Sequence, residues 1–164
     1  MEELLENKLD DILDDESVEC YYVDFFPATF GEESNFFEFE EFLQKEYYKD
    51  FAKKIVFIIL GLISYYDSCT YLLDKEFENE KLRDLRHIDL NSLDYDDLNK
   101  IINYFVKNEM SGLKVGLKDK KNLAVLLFDG GLRLSFFNLS SAQKEIVKQL
   151  VISQGFFFKK SSND

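Results

Sequence analysis

The stretch that decides the fold runs from residue 113 to residue 158 and reads LKVGLKDKKNLAVLLFDGGLRLSFFNLSSAQKEIVKQLVISQGFFF. It opens with apolar residues alternating with Lys or Gly, the pattern of a half-buried strand. The β-prone runs 123–128 and 132–138 then flank Asp129-Gly130, a pair typical of a two-residue type I′ hairpin turn. The sequence therefore predicts a β-meander.

The turn also predicts how the hairpin strands pair. A two-residue turn places Leu127 opposite Leu132 and Val125 opposite Leu134, so these apolar pairs share one face. The other face would carry residues such as Leu126 and Phe137.

A helix follows the hairpin. Ser140 and Gln143 have the spacing of a capping box, which predicts a helix over 141–153. Gly155 is at the position that favours a left-handed residue after a helix, and residues 156–158 can return as a strand.

Upstream of residue 112, the same local rules predict more helices than strands. Asn35 and Glu38 have capping-box spacing, and Asp94 can cap a later helix. Predicted helices cover 2–14, 36–48, 51–66 and 95–109, and predicted strands cover 18–26 and 69–73. We therefore predict one α+β domain over 1–164, whose antiparallel meander in the C-terminal third (112–158) packs against several helices. Residues 1–46 form an acidic helical and strand segment, and 159–164 a frayed tail.

The most apolar run is too short to cross a membrane. It has 12 uncharged residues, from Ile55 to Tyr66, whereas a spanning helix needs about 20. The run therefore predicts a helix buried in a protein core. The acidic start, Met1-Glu2-Glu3, is unlike a secretory signal, and two cysteines are too few for a disulfide framework, so we expect a cytoplasmic protein.

The charge is divided unevenly along the chain. The net charge is −12; residues 1–46 hold 16 acids and two lysines, whereas residues 47–164 hold 16 acids and 18 bases. The first segment thus carries −14 and the remainder +2. Such a field repels nucleic acid and anionic lipid and attracts a basic protein. The alternative is that a solvated helix face is simply acidic.

Aromatic residues lie among these acids, above all in Phe36-Phe37-Glu38-Phe39-Glu40-Glu41-Phe42. Most of these rings are expected in the core, but three phenylalanines in four positions cannot share one narrow helical stripe. An exposed ring surrounded by carboxylates is suited to anchoring a basic surface. The predicted partner-binding residues are Asp14, Asp15, Glu16, Glu32, Glu33, Phe37, Glu38, Glu40 and Glu41.

The sequence contains no catalytic, metal or cofactor signature. His87 and the cysteines Cys20 and Cys69 have no zinc-ligand spacing, and no phosphate-binding glycine loop is present. We expect no cofactor, no metal ion and no catalytic residue. A hydrolase built on paired carboxylates remains an alternative because such pairs leave no motif.

The chain resembles small acidic bacterial immunity proteins, which neutralise a toxin made by the same or a neighbouring cell. The resemblance lies in the runs 20–27, 126–139 and 154–158, and in size, acidity and aromatic content. It implies a tight, stoichiometric, non-enzymatic inhibitor of a basic toxin such as a nuclease.

Other functions remain open. Phage-borne inhibitors that imitate nucleic acid have a similar composition. A regulatory or self-associating domain, joined through the hairpin face around Leu126 and Phe137, is a further alternative. We expect no direct contact with nucleic acid and no membrane contact.

Overall fold

The fold is α+β. The structure, a computed structural model, describes residues 2–27, 36–73, 82, 84–108, 111–130 and 133–161. Its helices are α1 (Glu2–Asp14), α2 (Phe36–Tyr65), α3 (Tyr95–Lys107) and α4 (Ser141–Ser153), with a 3-10 helix at Leu90–Ser92. Its strands are β1 (Cys20–Asp24), β2 (Asp67–Leu72), β3 (Ser111–Asp119), β4 (Asn122–Asp129), β5 (Leu134–Phe137) and β6 (Phe157–Lys160).

The six strands form one antiparallel sheet in the order β2-β3-β4-β5-β1-β6. Strands β3 to β5 form the predicted meander, and β2 pairs with β3 after a long helical connection, which confirms the predicted α+β class with an antiparallel sheet. The N-terminal strand β1 lies between β5 and β6. Strand β6 extends to Lys160, so the tail predicted to fray from residue 159 begins inside a strand. Lys159 and Lys160 are held there by ion pairs to Asp24 and Glu19.

The hairpin between β4 and β5 forms, but its predicted register is wrong. Leu126 pairs with Phe136 and Phe128 with Leu134, a slip of three residues from a two-residue turn. The connection is longer because the Arg133 N–H donates to the Gly130 carbonyl at 2.8 Å. A shift of the pairing register by an odd number of residues turns the side chains of one strand to the opposite face relative to its partner. Both faces of β4 are apolar, so its pattern could not distinguish the alternatives.

The main core lies on one face of the sheet. Leu126, Phe136 and their neighbours on that face pack against α2, α3 and α4. Leu126 is fully buried there, and Phe137, on the opposite face, is half-buried against α1 residues. The exposed hairpin face proposed for self-association through these two residues is therefore not present.

Helix α1 covers part of the opposite face of the sheet. Leu9 packs there against Cys69, Tyr71 and Val125, all of which are buried. Gly116 permits this approach, since an added Cβ would lie 2.7 Å from the Cys69 Sγ and 3.0 Å from the Leu9 Cδ2. Strand β3 is consequently buried on both faces, whereas its sequence pattern predicted one.

Helix α4 has the predicted start and end. The Gln143 N–H donates to the Ser140 Oγ at 3.2 Å, and the Ser140 N–H donates to the Gln143 Oε1 at 3.0 Å. The fully buried Gln143 side chain also donates to the Leu117 carbonyl and accepts from Asn122. Gly155, at φ 80°, supplies the left-handed residue after the helix.

Helix α2 is continuous, so the chain at Asp50 continues the helix predicted over 36–48 through 51–66 and does not start a second one. Its apolar C-terminal half is buried, with Ile55, Ile59 and Leu62 fully enclosed, which confirms the predicted core helix. In the described part of the chain, no helix has the length and apolar character required to cross a membrane. The Asn35 of the predicted capping box lies outside the described residues.

Candidate functional site

The N-terminal part of α2 extends beyond the protein core. Thirty residues of α-helix are about 45 Å long, and among the α2 residues whose side chains the structure describes, Ala52 is the first that is buried. Between residues 37 and 47, every described side chain is exposed except Leu43, which is half-buried. We call residues 37–47 the exposed segment of α2.

Large aromatic rings occupy this exposed segment. Phe37 is 71% exposed, Phe39 48% and Phe42 50%. Phe39 is 5.7 Å from Phe26 and 6.4 Å from Phe42, measured between ring centroids. Tyr47 joins Phe42, at 6.3 Å, to ring contacts that reach the core. Phe37, Phe39 and Phe42 are therefore large rings exposed on one helical segment, whereas most large apolar side chains of the described chain are in the core.

The acids of this segment are not engaged within the described structure. Glu38 and Glu41 are exposed, and neither forms an ion pair with a described residue. With Glu40, Glu46 and Lys45, residues 37–47 carry a net charge of −3. The side chain of Glu40 lies outside the described residues, as do Glu32 and Glu33.

The other predicted acids lie at the end of α1. Asp14, Asp15 and Glu16 are exposed. Asp15 has a local structural role, because its Oδ1 accepts hydrogen bonds from the Ser17 Oγ at 2.6 Å and the Ser17 N–H at 2.9 Å. These hydrogen bonds lower the pKa of Asp15 from its ordinary value. This carboxylate closes the turn that leads to β1.

The structure divides the predicted binding residues into two groups. Residues 14–16 precede β1 and adjoin α1, whereas residues 37–41 follow β1 and adjoin Phe26. The five residues of β1 separate the two ends by about 13 Å, and α1 and α2 pack on opposite faces of the sheet. Phe37, Glu38 and Glu41 lie together, and Asp14, Asp15 and Glu16 are separate from them.

Several acids of the first segment bind cations from later in the chain. Asp24 pairs with Lys159 at 2.7 Å, and Glu19 pairs with Lys160. The pKa of Glu19 is lowered, first by the hydrogen bond from Lys160 and then by that from Tyr21. Part of the negative charge of residues 1–46 thus stabilises the fold and is not available to a partner.

A buried charge cluster under α1 was not found from the sequence. The Nζ of Lys114 is 2.6 Å from the Asp10 Oδ1 and 3.2 Å from the Glu6 Oε1, while the His87 Nδ1 is 2.9 Å from the Glu6 Oε2. The Lys114 and Glu6 side chains are only 3% and 6% exposed. Glu6 and Asp10 are four residues apart, so they lie on the same side of α1. This spacing was the sequence feature that could have indicated a shared cation.

The cysteines are free and lie far apart. Cys20 on β1 and Cys69 on β2 are four strand positions apart in the sheet order, about 19 Å. Burial raises the pKa of Cys69 from 9.0 to about 11 and also raises that of Cys20, so both thiols are poor nucleophiles. Among the residues that the structure describes, no group of three or more His, Cys, Asp or Glu side chains is placed to hold a metal ion.

Comparisons with protein-family models, curated proteins and solved structures gave no match to this chain.

Proposed function

We propose that this chain is a non-enzymatic protein-binding protein, an immunity-type inhibitor that neutralises a basic toxin such as a nuclease. The observation that supports the proposal most directly is the exposed segment of α2. It presents aromatic rings together with carboxylates that form no ion pair with a described residue, on a helix that the described core leaves uncovered. Rings in such a surface supply buried area, and carboxylates accelerate encounter with a cationic partner.

The proposed contact surface is a part of the predicted set of binding residues. Phe37 is the anchor, and Glu38 and Glu41 are its charged neighbours. Glu38 and Glu41 form no ion pair with a described residue, whereas Asp24 and Glu19 near β1 are paired with lysines, so the charge of Glu38 and Glu41 is suited to attracting a partner. Asp14 and Glu16 are on the other side of the sheet and serve as an internal comparison.

The test uses the toxin domains encoded beside the gene. The C-terminal domain of each neighbouring secreted protein is produced, and its association with this chain is measured by surface plasmon resonance at two salt concentrations. The double substitution Glu38→Lys/Glu41→Lys should slow association about tenfold at low salt. Asp14→Lys/Glu16→Lys changes the net charge equally and should have a much smaller effect.

The aromatic anchor is tested in the same assay. Phe37→Ala should weaken binding by about 2 kcal/mol, roughly 30-fold, as removal of a central interface ring does. Tyr65→Ala is the matched control, because Tyr65 is 64% exposed at the opposite end of α2. If no neighbouring toxin domain binds, or if both aromatic substitutions have the same effect, the proposal is wrong.

A further inference from the structure

Strand β6 forms an open edge of the sheet. It pairs only with β1 in the described part of the chain. The Ser161 N–H donates to the Cys20 carbonyl at 2.9 Å, and every second residue of an antiparallel ladder bonds to the same neighbour. Phe157 and Lys159 therefore bond to β1, and the N–H and C=O groups of Phe158 and Lys160 point outward.

The opposite edge of the sheet is closed by side chains. The Asp89 Oδ1 accepts a hydrogen bond from the Thr70 N–H at 2.9 Å, and the Asn91 Nδ2 donates to the Ser68 carbonyl at 2.7 Å. Soluble proteins commonly block such edges because free backbone groups attract other strands. Two outward backbone groups of β2 are bonded in this way, whereas no described side chain bonds to the four outward backbone groups of β6.

The lysines of β6 do not give this edge a net positive charge. The Lys159 ammonium is 2.7 Å from Asp24 and only 15% of its side chain is exposed, and Lys160 is bound to Glu19. Unpaired lysines on an edge strand repel an incoming basic strand. Each of these two lysines is instead compensated by an acid of the N-terminal segment.

The open edge is continuous with the exposed segment of α2. Phe156, immediately before β6, lies 5.3 Å from Phe25 and 5.9 Å from Phe51, and further ring contacts lead from Phe51 through Tyr47 to Phe42. Phe157, the first residue of β6, is itself 39% exposed. The start of the edge strand therefore lies at the base of the acidic aromatic segment.

We propose that β6 accepts an extended, basic strand of the partner protein, which pairs with the backbone of Phe158 and Lys160 while the exposed segment of α2 binds beside it. This inference rests on the proposed function and assigns its binding mode. A strand carrying Lys or Arg matches the −3 charge of the adjacent segment. A second copy of this chain is disfavoured because each copy carries −12.

The first experiment uses a defined probe, a nine-residue peptide of alternating Val and Lys with both ends blocked. Hydrogen exchange followed by NMR should show the Phe158 and Lys160 amides exchanging rapidly in the free protein. A saturating concentration of the peptide should slow both at least tenfold. The same peptide with an N-methyl group on every residue lacks donors along both edges and should bind more weakly.

The second experiment changes the protein. Lys160→Pro removes one outward N–H without removing a bond to β1, and edge strands tolerate such a proline. Lys160→Ala keeps that N–H and loses only the exposed pair with Glu19. The proline variant should bind the peptide about tenfold more weakly than the alanine variant. Circular dichroism of both variants verifies that they are folded.

Three outcomes would overturn strand addition: protection of neither amide, equal peptide binding by the two variants, or a dimer in light scattering that only Lys160→Pro abolishes. The last outcome would assign the edge to a second copy of this chain.

Measurements with the toxin domain separate the two proposals. If the substitutions at Glu38 and Glu41 weaken that complex but Lys160→Pro does not, strand addition is wrong and the proposed function stands. If no toxin domain binds, the proposed function is wrong, and the peptide experiment still decides the use of the edge.

Discussion

Two glycine-to-alanine substitutions should have opposite effects on stability. At Gly116, a new Cβ would lie 2.7 Å from the Cys69 Sγ and 3.0 Å from the Leu9 Cδ2. Both neighbours are buried, so relief requires α1 or β2 to shift, and such overpacking costs about 1–3 kcal/mol. At Gly61, within α2, the nearest atom is the Leu150 Cδ2 at 3.5 Å, an ordinary contact.

The expected magnitudes follow from these distances. Alanine in place of glycine inside a helix or strand gains about 0.5–1 kcal/mol from the unfolded state. Gly61→Ala should therefore raise the free energy of unfolding by about that amount. Gly116→Ala combines the same gain with the overpacking penalty and should lower the free energy by about 1–2 kcal/mol.

The assay is urea unfolding followed by far-UV circular dichroism, since the chain contains no Trp for fluorescence. The double variant Gly116→Ala/Cys69→Ala removes the nearest clash and should recover part of the lost stability. An unfolding midpoint for Gly116→Ala equal to or above that of the unsubstituted protein would refute the packing of α1 on this face. A destabilised Gly61→Ala would contradict the ordinary contact at Leu150.

Three further stability predictions concern buried polar groups. Lys114→Met should lower the free energy of unfolding by about 3 kcal/mol, because it leaves Glu6 buried without its cation, and adding Glu6→Gln should restore part of the loss in urea unfolding. For Cys69, whose pKa rises from 9.0 to about 11 on folding, the unfolded thiol loses its proton first as pH rises. Stability should therefore fall between pH 9 and pH 11 by up to about 3 kcal/mol more than in Cys69→Ala, measured by denaturation across that range. Ser140→Ala should cost about 1 kcal/mol, whereas Gln143→Leu should cost about 2–3 kcal/mol because it also removes the hydrogen bonds to Leu117 and Asn122; thermal unfolding compares the two.

The elements with local signals were predicted well from the sequence. Helix α4 begins and ends as its capping box and Gly155 indicated, and the Asp94 side chain accepts a hydrogen bond from the Asp97 N–H at 2.8 Å at the start of α3. These signals work because the interacting groups are within a few residues of one another. The class of fold followed from them.

Pairings between distant segments could not be predicted in this way. The placement of β1 between β5 and β6 depends on partners more than 100 residues away, for which the chain has no local signal. Because α1 packs on the second face of the sheet, β3 is buried on both faces and Lys114 is buried with it. The alternating sequence pattern of β3 had indicated one solvated face. The three-residue difference in the β4–β5 register was also not predictable from local sequence, because a strand that is apolar on both faces does not specify its register.

The exposure of one ring was expected from the sequence, but the expectation that most rings of residues 36–42 lie in the core was wrong for Phe37, Phe39 and Phe42. Phe37 was expected outside because neighbouring phenylalanines could not share one helical stripe, and the structure places it at 71% exposure. The acids were harder, because a carboxylate next to a distant lysine looks the same in sequence as a solvated one. Asp24 and Asp14 illustrate this, since the first is paired with Lys159 and the second is exposed.

The unequal edges of the sheet also limit how large an assembly can become. A head-to-tail filament would require β6 of one molecule to meet β2 of the next, and Asp89 and Asn91 already bond to two of the β2 backbone groups that such a contact would use. Growth by strand pairing at β2 is therefore disfavoured. A complex formed through β6, as proposed, would therefore have a small, fixed stoichiometry, because the two edges of the sheet are not equivalent.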